Sequence, residues 1–220
     1  MRMLGPAILA LLMALPLPGR SAPITYTVEG VLGLPWDPLT PEALAPYYSP
    51  GTVVRGNFTL DDEVGLTRFP DANWFFGAFS GEFAFGSNLV KARNSFAANT
   101  VLPYGTELTM LGGNRWNTGG VVEESLQIPG LTLAGVQLRF SRPEILPLDT
   151  PVRELLASAT PESGSFALVY SDGTDASLVT WWQVTQLRAV ESEIPEPGSG
   201  MLVATGVLLV AARRRRAPSR

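Results

Sequence analysis

Residues 24–32 read ITYTVEGVL, with Ile24, Tyr26 and Val28 alternating against Thr25, Thr27 and Glu29. A period of two places every second side chain on one face of an extended chain, so this stretch predicts a strand with one buried and one wet face. The same alternation returns in GTVVRGNFTL (51–60) through Val54, Phe58 and Leu60, in GEFAF (81–85) through Phe83 and Phe85, and in LTLAGVQLRF (131–140) through Val136, Leu138 and Phe140. TELTML (106–111), VVEESLQI (121–128), SFALVY (165–170) and SLVTWWQVTQL (177–187) are further strand-like runs. Turn signals separate them at Asp61-Asp62, Phe69-Pro70-Asp71, Gly112-Gly113-Asn114, Gly119-Gly120, Pro129-Gly130 and Asp172-Gly173. About seven to ten short strands with frequent turns imply an antiparallel sandwich or barrel. The fold expected is an all-β, jelly-roll-like antiparallel β-sandwich, with an N-terminal signal helix and a short C-terminal transmembrane helix.

Helix signals are few. Thr150 as N-cap, Pro151 at the first helical position and Glu154 in the first turn predict a short helix near 150–159. TPEALAPYY (40–48) is a weaker form of the same pattern, cut off by Pro46.

Composition removes several kinds of chemistry. The chain has no cysteine and no histidine, which excludes a Ser-His-Asp triad, a cysteine nucleophile, a disulfide framework, a zinc site of the common N/S type and a lipid on cysteine. The glycine cluster LGGNRWNTGG (111–120) lacks the Lys-Ser/Thr of a phosphate-binding loop and reads as a hairpin turn. Asp61, Asp62 and Glu63 are hard oxygen donors that could hold calcium, but they lack the alternate spacing and glycine of an EF-hand loop. A solvated turn is the better reading, and no metal or cofactor is expected. A glycosidase would need two carboxylates flanking a sugar, and nothing in the sequence selects a pair. Trp36, Trp74, Trp116, Trp181 and Trp182, with Tyr47 and Tyr48, could form a stacking platform for polysaccharide; core packing competes for the same residues. In a strand Trp181 and Trp182 face opposite ways, one inside and one out.

The two ends differ from the middle. MRMLGPAILALLMALPLPGRSAP (1–23) carries Arg2, an apolar run from Met3 to about Leu17 and then small residues and prolines, the pattern of a secretory signal peptide cut between about Gly19 and Pro23. Between residues 23 and 194 acidic side chains outnumber basic ones, 19 to 9, so the overall charge of −4 conceals an acidic body with basic ends. Such a body repels phosphate backbones, and no nucleic-acid partner is expected. Near the C-terminus Pro195, Glu196 and Pro197 precede an uncharged run, GSGMLVATGVLLVAA (198–212), and then Arg213, Arg214, Arg215 and Arg216. As a helix that run would rise only about 22 Å against a hydrocarbon core of roughly 30 Å, a marginal anchor. The arginines hold its end in the cytoplasm by the positive-inside rule.

This order of parts resembles the PEP-CTERM sorting signal of Gram-negative bacteria: Pro-Glu-Pro, an apolar stretch and a terminal arginine cluster. The resemblance implies processing by an exosortase, a membrane-embedded cysteine transpeptidase of bacteria that make exopolysaccharide. The body is similar to the small β-rich ectodomains that often precede this signal, with an opening YTVEG and a later GNFTLDD. The domains expected are a signal peptide (1–22), an ectodomain (23–192) and the sorting signal (193–220). The protein is then a non-enzymatic, exported chain. Its precursor is transiently anchored in the inner membrane, and its mature form belongs to the cell surface or extracellular matrix as a structural or interaction component. Its partners are the export machinery and the exosortase, with exopolysaccharide as a further candidate. A polysaccharide-binding module and a carboxylate-dependent glycosidase are the alternatives.

Overall fold

The computed structural model describes residues 23–33, 43–113, 120–174 and 177–190. Ten strands form in chain order: β1 (Ile24–Leu32), β2 (Val53–Leu60), β3 (Leu66–Arg68), β4 (Ala72–Phe85), β5 (Asn88–Leu102), β6 (Gly105–Gly112), β7 (Val121–Glu124), β8 (Thr132–Arg142), β9 (Gly164–Ser171) and β10 (Ser177–Val190). Helix α1 (Val152–Ala157) and a 3-10 turn at Pro161–Ser163 lie between β8 and β9. The chain divides into two units, Met1–Val190 and Glu191–Arg220; the second lies outside the described residues, as does the expected signal helix.

Every strand pairing is antiparallel, and the pairings run in a circle: β4, β2, β1, β10, β9, β8, β6, β5 and back to β4. The sheet is therefore a closed eight-stranded barrel and not the jelly-roll-like sandwich expected from the sequence. The expected transmembrane helix (198–212) lies outside the described residues, and no helix among those that are described is long and apolar enough to cross a membrane. Alternation reports that a strand has one buried face, and a sandwich and a barrel satisfy it equally. What decides between them is whether the two edges of the sheet meet. They meet through β4 and β5, which pair from Phe85 with Asn88 at the turn to Ala72 with Thr100 at the far end. Both strands also outrun their outer neighbours. β3 pairs with residues 73–75 of β4, beyond the end of β2, and β7 pairs with residues 90–93 of β5, beyond the end of β6.

Two local features let these long strands bend. The turn joining them, Gly86-Ser87, has Gly86 at φ +57, the first position of a II′ hairpin turn that a side chain would strain. Farther along, the register slips where Ala92 faces Gly81 but Ser95 faces Phe79, leaving an extra residue in β5 with Asn94 at φ 49. This is a β-bulge, and the Asn94 amide donates to Ser80 Oγ at 3.2 Å. Across it the inward parity of β5 changes from Val90 and Ala92 to Ser95, Ala97 and Asn99.

The interior is filled with rings. Phe83 lies 4.8 Å from Phe166, Phe85 5.0 Å from Trp182, and Trp182 5.8 Å from Phe166, centroid to centroid. Eight strands enclose a bore just wide enough for side chains, and here aromatics occupy it. Trp182 Nε1–H donates to the Thr52 carbonyl at 3.2 Å, which satisfies the indole's one polar group.

Each end is stoppered by a connection. At the end where β1 begins and β10 finishes, α1 inserts Val152, Leu155 and Leu156. The segment before it is tied down by Asn73 and Asn99, a facing pair on β4 and β5 whose Nδ2 groups donate to the Leu148 carbonyl at 2.6 and 3.5 Å. The Leu146 amide also donates to the buried Thr106 Oγ1 at 2.8 Å. Pro151, not Thr150, is the N-cap, and it makes no side-chain cap; burial and not capping holds this short helix. At the opposite end a single turn, closed by Tyr48 N–H to the Leu44 carbonyl at 3.0 Å, buries Leu44 and Tyr48. This is all the helical character that TPEALAPYY attains among its described residues.

The two adjacent tryptophans separate the interior from the wall: Trp182 is 1% exposed and Trp181 39%. Trp182→Ala is expected to cost about 3–5 kcal/mol, the range for emptying an aromatic core site. Trp181→Ala should stay within about 1 kcal/mol, as surface substitutions usually do. Urea unfolding of the two variants checks the contrast, and equal losses would mean that the ring-filled bore is not what holds the barrel.

Candidate functional site

The residues singled out from the sequence fall in three places. Pro195, Glu196, Pro197 and the cluster Arg213, Arg214, Arg215 and Arg216 lie outside the described residues, as do Trp36 and Trp116. Tyr48 and Trp182 are core residues, while Tyr47, Trp74 and Trp181 are exposed. The acidic run sits in the β2–β3 turn. There Asp61 Oδ1 accepts the Glu63 amide at 3.1 Å and Asp62 pairs with Arg153 of α1 at 3.5 Å. Asp62 thus ties the turn to the stopper helix. Among the described residues no group of three acidic or other ligating side chains gathers as a metal site would require.

Two constellations escaped the sequence reading. The first is a chain of buried hydroxyls at the end that Tyr48 closes. Asn88 Nδ2 donates to Tyr48 Oη at 3.1 Å, the Tyr48 and Tyr170 hydroxyls lie 2.5 Å apart, and Tyr170 donates to Glu124 Oε2 at 3.0 Å. Since Tyr170 spends its proton on the carboxylate, Tyr48 is the donor between the two phenols, and all four groups point one way along the chain. Asn88 is fixed from behind, its Oδ1 accepting Ser125 Oγ and the Leu126 amide, both at 2.9 Å. Burial drives the pKa of Tyr170 and Tyr48 upward, so both remain neutral donors. Burial also raises Glu124, with hydrogen bonds from Tyr170, the Leu133 backbone and Asn88 acting against the rise. The chain joins β4–β5, β7 and β9 to the β1–β2 connection, so it fastens one barrel end. No sequence motif marks it, because its members lie far apart in the chain.

The second is an external aromatic cluster on β4 and the turn before it. Trp74 lies 4.5 Å from Phe69, 6.1 Å from Phe76 and 5.3 Å from Phe96, at interplanar angles of 50°, 67° and 88°. Phe96 is covered by its neighbours, whereas Phe69, Trp74 and Phe76 are exposed, with Leu66 beside them on β3. Strand alternation explains the placement: Phe75 points into the core, so Trp74 and Phe76 must point out. Between this cluster and α1 runs a groove of about 400 Å³ lined by Asp62, Arg68, Phe69, Asn73, Asp149 and Arg153 among others. The available signal was FPDANWFF (69–76), in which aromatics follow a Pro-Asp turn on both parities of a strand.

The linkage at Glu124 has a defined sign. Because its folded pKa is raised, the folded state holds the proton over a window in which the unfolded chain has lost it. Stability therefore falls as pH rises from the ordinary glutamate value of 4.5 through the folded one. Glu124→Gln keeps an acceptor for Tyr170 and should flatten the melting temperature over that window. Tyr170→Phe should cost about 1–3 kcal/mol at neutral pH by orphaning buried partners. Melting curves from pH 4 upward check both; a wild-type slope of the opposite sign would refute the assignment.

The family model of the PEP-CTERM protein-sorting motif matches residues 193–216, a span that holds Pro195, Glu196, Pro197 and the arginine cluster. No curated protein and no solved structure matches the chain. The motif is one recognised by an exosortase, and it marks an exported protein destined for the cell surface or extracellular space.

Proposed function

We infer that this chain, with a PEP-CTERM motif behind an eight-stranded barrel, is a non-enzymatic surface or matrix protein of a Gram-negative bacterium. The motif at 193–216 carries the reading. The signal peptide delivers the chain to the export machinery, and the apolar run with Arg213 to Arg216 then holds the precursor at the inner membrane. An exosortase acts at Pro195-Glu196-Pro197. Both prolines lack an N–H and disfavour helix, a composition that suits a segment a processing enzyme must grasp. The released barrel serves as a structural or interaction component of the cell surface or exopolysaccharide matrix.

Three observations support a binding or structural role over a catalytic one. The chain has neither His nor Cys, the bore is filled with rings, and the carboxylates with defined partners serve the framework, Glu124 in the hydroxyl chain and Asp62 on Arg153. A polysaccharide platform is less well supported. The exposed rings tilt against one another by 50° and 67° and do not lie in one plane as a flat sugar-stacking surface needs.

Replacing Pro195, Glu196 and Pro197 by alanine should leave the barrel folded and block processing, so that full-length chain accumulates in the inner membrane of a host carrying an exosortase. Fractionation with mass spectrometry of the C-terminus reads the result. Processing near residue 197 at the native rate would overturn the sorting role of these residues.

A further inference from the structure

The large apolar side chains that the barrel leaves in solvent are unevenly placed. Tyr104, 73% exposed, tips the β5–β6 turn, and Ile145, 62% exposed, lies in the segment between β8 and α1. Phe69, Leu66, Trp74 and Phe76 belong to the same end of the barrel, since β3, the start of β4, the end of β5 and the end of β8 all lie there. The opposite rim and the wall carry only Tyr47, Leu89, Val121 and Trp181 in this class among the described residues.

The aromatic rim is also where the chain leaves the barrel. Thr25 pairs with Val190, which puts the first and last described strand ends side by side at that end. Seven residues, 191–197, separate Val190 from the uncharged run that starts at Gly198. Fully extended, they span about 25 Å. A tether of seven residues that starts at Val190 starts at the aromatic rim and not at the opposite one.

We propose that this rim is a lipid-facing seat, with Tyr104, Ile145, Phe69 and Trp74 resting in the headgroup region of the membrane that holds the precursor. Tyrosine and tryptophan favour that zone because one part of each ring system is apolar and the other hydrogen-bonds. The acidic body works against contact with anionic lipid, so a few inserted side chains would not hold a free barrel. The tether supplies the missing term, since it raises the local concentration of bilayer at the rim to about the millimolar range. Seating therefore lasts as long as the tail is attached. It ends when the tail is cut.

This inference rests on the anchoring proposed above, and the test separates the two. The chain has no native cysteine, so Pro103→Cys at the aromatic rim and Ser87→Cys at the opposite turn each accept one fluorescent label. Full-length precursor is reconstituted into vesicles of phosphatidylethanolamine and phosphatidylglycerol, with and without nitroxide-headgroup lipid. Melting curves verify that each variant folds. Flotation reads anchoring and quenching reads seating. The rim label should be quenched several-fold more than the Ser87 label. Changing Phe69, Tyr104 and Ile145 to serine should bring it down to the Ser87 level without loss of flotation. Equal quenching of both labels on floating vesicles would overturn the seat and leave the anchor standing. A rim-label response that follows protein concentration without lipid would assign the surface to a second copy and overturn the proposal. Failure of the wild-type chain to float would overturn the anchoring and the seat with it.

Discussion

The pairing of β4 with β5 decides this structure. Without it, β2 through β1, β10, β9 and β8 to β6 would form a single curved sheet with unpaired N–H and C=O groups along both margins. One hairpin supplies both missing neighbours and so satisfies two edges at once. The interior follows from closure. Once eight strands surround a fixed bore, inward residues must fill a set volume, and the inward face of β4, β9 and β10 carries Phe83, Phe85, Phe166 and Trp182 to do so. The stoppers follow from the same constraint, because the open ends of such a bore admit water unless connections cover them.

The two stoppers are built on different chemistry. At one end α1 is an apolar plug with amide groups of Asn73 and Asn99 clamping the chain ahead of it. At the other, Tyr48 carries its ring into the aromatic core, 5.5 Å from Trp182, while its hydroxyl joins the line that ends on Glu124. A half-buried carboxylate accepting from a phenol leaves that end dependent on a protonation state, whereas at the α1 end burial raises the phenol of Tyr26, which stays neutral. The two ends of the barrel are thus chemically different.

Much of the β content was legible because alternation survives wherever a strand is regular, as in β1, β2 and the Val136–Phe140 part of β8. The closing hairpin was not. NLVKARNSFAANTVL (88–102) is rich in alanine and asparagine, which are poor strand formers, and its bulge at Asn94 switches inward parity halfway, so no single period runs through it. Only the GEFAF half of β4 announced itself. With one closing strand unseen and the other halved, open sheets were the natural reading, and a sandwich was expected in place of the barrel. The opposite orientations of Trp181 and Trp182 were legible for the converse reason, since adjacency in a regular strand fixes them without knowledge of topology. At the aromatic cluster the sequence showed Trp74 but could not show that Phe69 and Phe76 would meet it, because β3 and the bulged start of β4 had no periodic signal. The hydroxyl chain was out of reach for any local reading: Tyr48 and Tyr170 are separated by 122 residues.

The register that joins Thr25 to Val190 also governs time. β1 is the first of the described strands to be made, and one of its two partners is the last. Until β10 arrives, β1 can pair only with β2, and the bore cannot close around Trp182, which β10 itself contributes. Local hairpins such as β4–β5 can form early, but loop-closure entropy across nearly the whole domain must be met before the circle is complete. The circle can therefore close only after β10 has been made, and closing the barrel is a late step in its folding whichever hairpins form before it.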